Sequence, residues 1–427
     1  MRRVLLPLVL IAIGVACSND PNAGKIQLRY MAWGNPQQLD VEQKLVDDFN
    51  RRNPDLYVKL FKVPGSAYQN KMVVMMASRT APDIIRIDHY AFPNYVRKEY
   101  FHEMDSLAAQ DPDFDRDDFF PQALEEGTYN GKLYGLNSMP GGIMMYYNKT
   151  MFRQAGLADP YELWKRDEWT WERLRDSAVA LTQRGPDGRP KTFGVELLGG
   201  TNTAIILWAF GGDLLDASLT RCLLDRPGSI AAIQFLHDLR WKLNVAPTPS
   251  QAALSAFAFE SGKLGMVFDW MGRAPRLRDT VKSFEWDVCP VPKGPAGGPT
   301  TMKGNQIVIY AESEHPQEAW RFVRFMTSRE TEMFYYGVLR RGAPSRRSVA
   351  YSDEFLKADR PPFNTRVYLH AFEDGRPLPI NHRWSEWTTV LNNHLGSIFL
   401  DPRADVGARL REAKREIDAV LSSEEGF

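Results

Sequence analysis

Apolar residues switch between a period of two and a period of about 3.6 from Lys25 to Asp88, and that alternation leaves few folds open. In "KIQLRYMAW", Ile26, Leu28 and Tyr30 share one side as a strand requires, and Val41, Leu45 and Phe49 then recur at helical spacing until Asn53-Pro54. "LYVKLFKV" reads as a second strand. Ser66 to Gln69 reads as a capping box opening a helix through Met72, Val73 and Met76, which Pro82 ends before the strand "DIIRID". The order β-α-β-α-β opens a parallel sheet with helices on its faces.

Similar units follow. "GMVFDW" and "GNQIVIYA" read as strands, and "PQEAWRFVRFMTS" as a helix with Pro316 at its start. After about residue 384 the pattern is mainly helical, closing on the amphipathic "RADVGARLREAKREIDAVL". The expected class is α/β. About 400 residues beyond the leader exceed what one core serves, so two domains are expected.

The leader is residues 1–16. Arg2 and Arg3 precede an apolar run from Val4 to Val15, and Val15-Ala16 supplies the small side chains of a cleavage site. Twelve residues rise only about 18 Å as a helix, short of the roughly 30 Å bilayer core, so the segment reads as an export signal. Gly14-Val15-Ala16-Cys17 resembles the lipobox of bacterial lipoproteins, with Gly14 where leucine is usual. The resemblance implies lipidation of Cys17 and, through the tether at 17–24, a soluble body held on a membrane and facing the periplasm or the extracellular space.

Lys plus Arg and Asp plus Glu each number 53, and losing Arg2 and Arg3 would leave a formal charge of −2, which gives no reason to expect nucleic acid. Cys222 and Cys289 are too few for a disulfide scaffold, and their spacing leaves a pair or two thiols open. The seven histidines form no H-x-x-x-H pair, so no metal is expected. "GPAGGP" lacks the Lys-Ser/Thr of a phosphate loop, and no G-x-S-x-G elbow occurs, so no cofactor is expected either.

In open sheets, ligands bind at the carboxyl ends of the strands. Those positions are Trp33, Gly34 and Asn35; Asp88, His89 and Tyr90; and Asp269, Trp270 and Arg273. Flat rings beside multivalent hydrogen-bonding groups suit a carbohydrate, whose C–H faces pack on aromatics while its hydroxyls need donors and acceptors. Trp384 and Trp387, near Arg383 and Glu386, read either as a second platform or, like any single tryptophan of the set, as core residues.

The pieces "APDIIRID", "YNGKLYGLNSMPGGIMMYYNKTMFRQAGL" followed by "WTWERL", "WAFGGDLLD", "FESGKLGMVFDWMG" and "WDVCPVPKGPAGGPTTMKGNQIVIYAESEHPQEAWRFVRFMTS" stand in one order over essentially the whole chain after the tether. In that order the chain resembles the sugar-type extracellular solute-binding proteins of bacterial ABC importers, with the layout of maltose-binding proteins. The resemblance implies a two-lobed fold with hinge strands, mainly parallel sheets flanked by helices and a helical C-terminal region. Lobe 1 would be 25–138 and 306–360, and lobe 2 139–305 and 361–427. Crossings would fall near Asn137 to Gly142 and Gln306 to Tyr310.

It further implies a monomer that closes on a sugar and hands it unaltered to the permease subunits of an ABC importer. By position the cleft would be lined by Trp33, Asn35, Asp88, His89, Tyr90, Gly141, Thr201, Asn202, Asp269, Trp270, Asn305 and Trp387. Family members often carry a polar side chain where Gly141 and Gly142 stand, and glycine there would widen the pocket or expose backbone N–H groups. Two rival readings are an exported glycoside hydrolase, for which only Asp88 and Asp269 qualify as the carboxylate pair, and the same fold serving a polyamine, metal chelate or peptide. Arg340 and Arg341 would suit an anion.

Overall fold

A computed structural model describes residues 22–138 and 140–423. The export signal and Cys17 lie outside the described residues.

The opening is β1 (Ile26–Trp33), α1 (Pro36–Arg52), β2 (Leu56–Val63), α2 (Gly65–Ala77), β3 (Ile84–Asp88) and α3 (Phe92–Arg97), in the order the periodicity predicts. A small hairpin pairs β4 (Thr128–Tyr129) with β5 (Lys132–Leu133), before β6 (Gly135–Asn137) and β7 (Gly141–Asn148). Then come β8 (Phe193–Val195), β9 (Leu264–Trp270), β10 (Trp286–Cys289), β11 (Thr301–Lys303), β12 (Asn305–Ile309) and β13 (Arg376–Pro377).

These strands build two principal sheets. The first has the order β2-β1-β3-β12-β6, and the second β13-β11-β7-β9-β8 with β10 also paired to β7. Both are mixed, which corrects the expectation of mainly parallel sheets. β1 runs parallel to β2 and β3, joined by helical crossovers, whereas β12 is antiparallel to β3 and β6, and β7 is antiparallel to β9, β10 and β11. Strands that enter a sheet directly from the other sheet, without a covering helix, arrive in the opposite sense.

The chain passes from the first sheet to the second between Asn137 and Gly141, and back at Gly304, between β11 and β12. The return therefore comes just before the expected Gln306–Tyr310. Gly304 is required by close approach, because a Cβ there would lie 2.3 Å from the Asn137 side chain.

Alternation sorts side chains into separate cores. From β1, Leu28, Tyr30 and Ala32 join one cluster and Met31 another, under α2 and α3. All of β7 is buried: Met144 and Tyr146 face the first cluster, while Ile143, Met145 and Tyr147 face the core beneath the C-terminal helices Trp384–Leu400 and Val406–Ser422. The helix Pro316–Met326 packs on β12, and Val367–Glu373 packs on β7.

Two local expectations change. The Ser66–Gln69 capping box does not form, since α2 starts at Gly65 behind Pro64 with no side-chain cap; the box instead forms on α1, between Asn35 and Gln38. Cys222 and Cys289 are separate buried thiols, and burial pushes that of Cys222 up to about 12. No helix among the described residues is long and apolar enough to cross a membrane.

Candidate functional site

At the exit of β1, Asn35 Oδ1 accepts from the Gln38 N–H at 2.9 Å and Gln38 Oε1 from the Asn35 N–H at 3.0 Å, so the Asn35 side-chain oxygen is committed to the helix start. Trp33 packs on Tyr68, with ring centroids 4.6 Å apart, and on the Arg86 guanidinium, 4.8 Å from its ring. Arg86 is the one charge among the buried residues of β3. Its buried position is compensated by Glu42 at 3.2 Å, which also accepts from the Tyr30 hydroxyl at 2.5 Å. Arg86 donates as well to the Trp33 carbonyl. Burial, then Glu42, drives the Tyr30 pKa far up, which keeps its hydroxyl a neutral donor.

At the exit of β3, His89 Nδ1 lies 2.6 Å from Asp88 Oδ1, and the His89 ring meets Tyr90 edge-on at 5.6 Å. Burial, assisted by Asp88, raises the Tyr90 pKa. Asn305, the first residue after the return crossing, stands opposite Asp88 in register.

The second sheet contributes the exit of β9. The Trp270 N–H donates to Asp269 Oδ1 at 2.7 Å, and Arg273 bridges Asp269 at 2.7 Å and Glu260 at 2.9 Å. Gly141 does not widen the pocket. A Cβ on it would lie 3.0 Å from Met271 Sδ and 3.3 Å from the six-membered ring of Trp270, so the indole occupies the space the missing side chain leaves.

Between the two sets stands a residue the sequence reading missed. Lys303, paired with Gly141 at the end of β11, places its ammonium 5.2 Å from the Trp270 ring centroid. Burial lowers its pKa against the pull of Asp88 from the first sheet, Asp269 from the second and Glu126. Glu126, also missed, accepts from the Asn137 amide at the crossing, and burial pushes its carboxyl up to about 8. The available signals were a lysine two positions before Asn305 in "TMKGNQIVI" and an acidic pair ending the helix Pro121–Glu125. Neither position has a periodicity that marks it as facing a cleft.

The structure thus brings Trp33, Asp88, His89, Tyr90 and Asn305 to one sheet's exit edge and Gly141, Asp269 and Trp270 to the other's, with Lys303 in the field of both. Other candidates fall elsewhere. Trp387 is fully buried, donates to Asn381 Oδ1 at 3.1 Å and belongs to the C-terminal core, so it is no open platform; its helix turns that face inward. Thr201 and Asn202 lie in a short turn packed on the helix Trp384–Leu400. Arg340 is buried, paired with Asp359 at 3.0 Å and donating to the Lys357 carbonyl, so it is not a free anion contact.

A crevice of about 230 Å³ joins the two halves beside these exits, with Gln69, Tyr90 and Asn94 on one wall and Asn381, His382 and Trp384 on the other. Two larger depressions, of about 470 and 600 Å³, lie away from the strand exits. One is lined mainly by paired arginines and aspartates around Arg324 and Arg346, the other surrounds Trp164 and His370.

The sequence profile of the bacterial extracellular solute-binding proteins matches residues 34–333. An arabinooligosaccharide-binding protein of Bacillus subtilis is 23% identical over 346 residues, 77% of this chain and 76% of its own length. An ABC substrate-binding protein of Listeria monocytogenes, solved in complex with cycloalternan, shares the two-lobed fold with a TM-score of 0.82 at 22% identity, over 94% of this chain and 100% of that one. UgpB of Mycobacterium tuberculosis, solved in complex with glycerophosphocholine, gives a TM-score of 0.77 at 22% identity, over 93% and 98%.

Proposed function

The chain belongs to the bacterial extracellular solute-binding proteins, and we propose that it captures a mono- or oligosaccharide between two lobes and releases it unaltered to an ABC permease. The family and the fold are those of binding proteins. The observation that carries the saccharide reading is the pairing of indoles with hydrogen-bonding groups on facing sheet edges: Trp33 with Asp88, His89 and Asn305, and Trp270 with Asp269 and Lys303. Rings accept the C–H faces of a sugar while carboxylates, imidazole and ammonium satisfy its hydroxyls. The arabinooligosaccharide-binding relative supports the same ligand class.

In this reading lobe 1 comprises 25–138 and 305–360, since β12 brings Asn305 into the first sheet, lobe 2 comprises 139–304 and 361–427, and the segments around Asn137 and Gly304 bend between them. Closure follows because a ligand touches both lobes only in the closed form, and that difference in affinity shifts the population. Lipidation at Cys17 would hold the monomer on the membrane beside its permease. The proposed contacts are those at the two exit edges, with Lys303 replacing Trp387.

Thermal-shift screening of a saccharide library tests this. A ligand at a hundredfold excess over its Kd stabilises by about 2.7 kcal/mol. A shift with a saccharide is the expected outcome, and a shift only with polyamines, peptides or glycerophosphocholine, the ligand in the UgpB complex, would assign the chain a non-sugar solute. Chromatography of the incubated saccharide should return it intact; cleavage would support a hydrolase using Asp88 and Asp269.

A further inference from the structure

We propose that Lys303 is a specificity-determining contact of the cleft, donating from its ammonium to a hydroxyl of an uncharged saccharide that also bonds to Asp88 or Asp269. This rests on the saccharide reading above.

Lys303 is half-buried, stands over the Trp270 ring and has no hydrogen-bond acceptor or ion-pair partner among the described residues. The other cations around the exits are already engaged: Arg86 with Glu42 and Arg273 with Asp269 and Glu260. A partly exposed ammonium whose only partner in the chain is an indole face keeps its three donors open, and an oxygen from outside the chain can take them.

The surrounding charges define that oxygen. Asp88 and Asp269 act on Lys303 electrostatically from opposite sheets, yet neither comes within ion-pair contact of it. A hydroxyl interposed there accepts from the ammonium and donates to a carboxylate, and two adjacent hydroxyls on one ring can serve both carboxylates. An anionic group would meet the two aspartates, and a cationic one would compete with Lys303 for the indole. A neutral polyol satisfies every group.

The position is set by the fold. The return strand can bring a side chain to this point only at its last residue before Gly304, where the two crossing segments meet. A contact made from the crossing itself reads ligand bonded to either lobe.

The test is isothermal titration of the neutral saccharide giving the largest thermal shift into wild type, Lys303→Met and Lys303→Arg, with unfolding of each unliganded variant as the folding control. Loss of a charge-assisted hydrogen bond should weaken K303M on the order of ten- to hundredfold, with most of the loss restored in K303R. An affinity of K303M within twofold of wild type overturns the proposal, as does a loss that K303R fails to restore. Should K303M not fold, Lys303→Gln takes its place with the same criteria. If no saccharide shifts the wild type, the saccharide reading itself fails, and this proposal with it.

Discussion

Trp33 and Trp270 end comparable strands on the two sheets, yet they are held by opposite means. Trp33 is fixed by what surrounds it: Tyr68 at 4.6 Å, and Arg86 at 4.8 Å with the buried Glu42–Tyr30 system behind it. Trp270 is fixed partly by what is missing, since its ring fills the space over Gly141, and its charged neighbours Asp269, Arg273 and Glu260 keep contact with solvent. A ring braced by a buried ion pair links its orientation to the stability of the whole sheet. A ring seated on a glycine is disturbed by local changes that leave the buried ion pair of the other sheet intact.

The strongest way to break this contrast is Arg86→Met, which strands Glu42 in the core. It should cost about 3–5 kcal/mol in urea unfolding, and the double change R86M with Glu42→Gln should recover much of that, because the penalty belongs to the uncompensated charge. A loss below about 1 kcal/mol for R86M would show that Trp33 is not braced through this pair.

Gly141→Val should act on the other half. Overpacking against Met271 and Trp270, added to the backbone strain of a side chain at a φ of +156°, predicts a stability loss of about 2–4 kcal/mol, together with a drop in saccharide affinity on the order of tenfold by calorimetry, as the indole is displaced. Unchanged affinity would mean that the position of Trp270 does not matter for binding.

The smallest expected effect sits at the junction. The Glu126 carboxyl is raised by burial from 4.5 to about 8. The unfolded chain releases this proton at the lower pH and the folded chain only at the higher one, so rising pH between those values favours unfolding. Glu126→Gln should flatten the fall in Tm between pH 5 and pH 8 by about a few °C, leaving the share of Glu332, which burial raises to about 7 in the same direction. A Tm profile identical to that of wild type would place Glu126 in water.

Much of the fold was legible. The opening β-α-β-α-β, the strand ending at Trp270, the helix starting at Pro316 and the closing helix follow from period and punctuation. Trp33, Asp88 and Trp270 also stand at strand ends as read, because strand ends are local features. It failed where facing mattered. Trp384 and Trp387 sit three apart on a helix, and spacing alone could not tell that Trp387 turns into the C-terminal core. Gly141 showed only that a side chain was missing; which neighbour fills the gap depends on β9, more than a hundred positions later.

The sequence by itself determined the alternation of strands and helices and the chemistry at the strand ends, since both are written in residues within a few positions of one another. Only the tertiary structure decided that Arg86 braces Trp33 through Glu42, that Trp270 rests on Gly141, and that Lys303 stands where fields from both sheets overlap. Those pairings join segments far apart in the chain. Their partners are chosen by how two mixed sheets meet at Asn137 and Gly304, and a local pattern carries no information about that meeting.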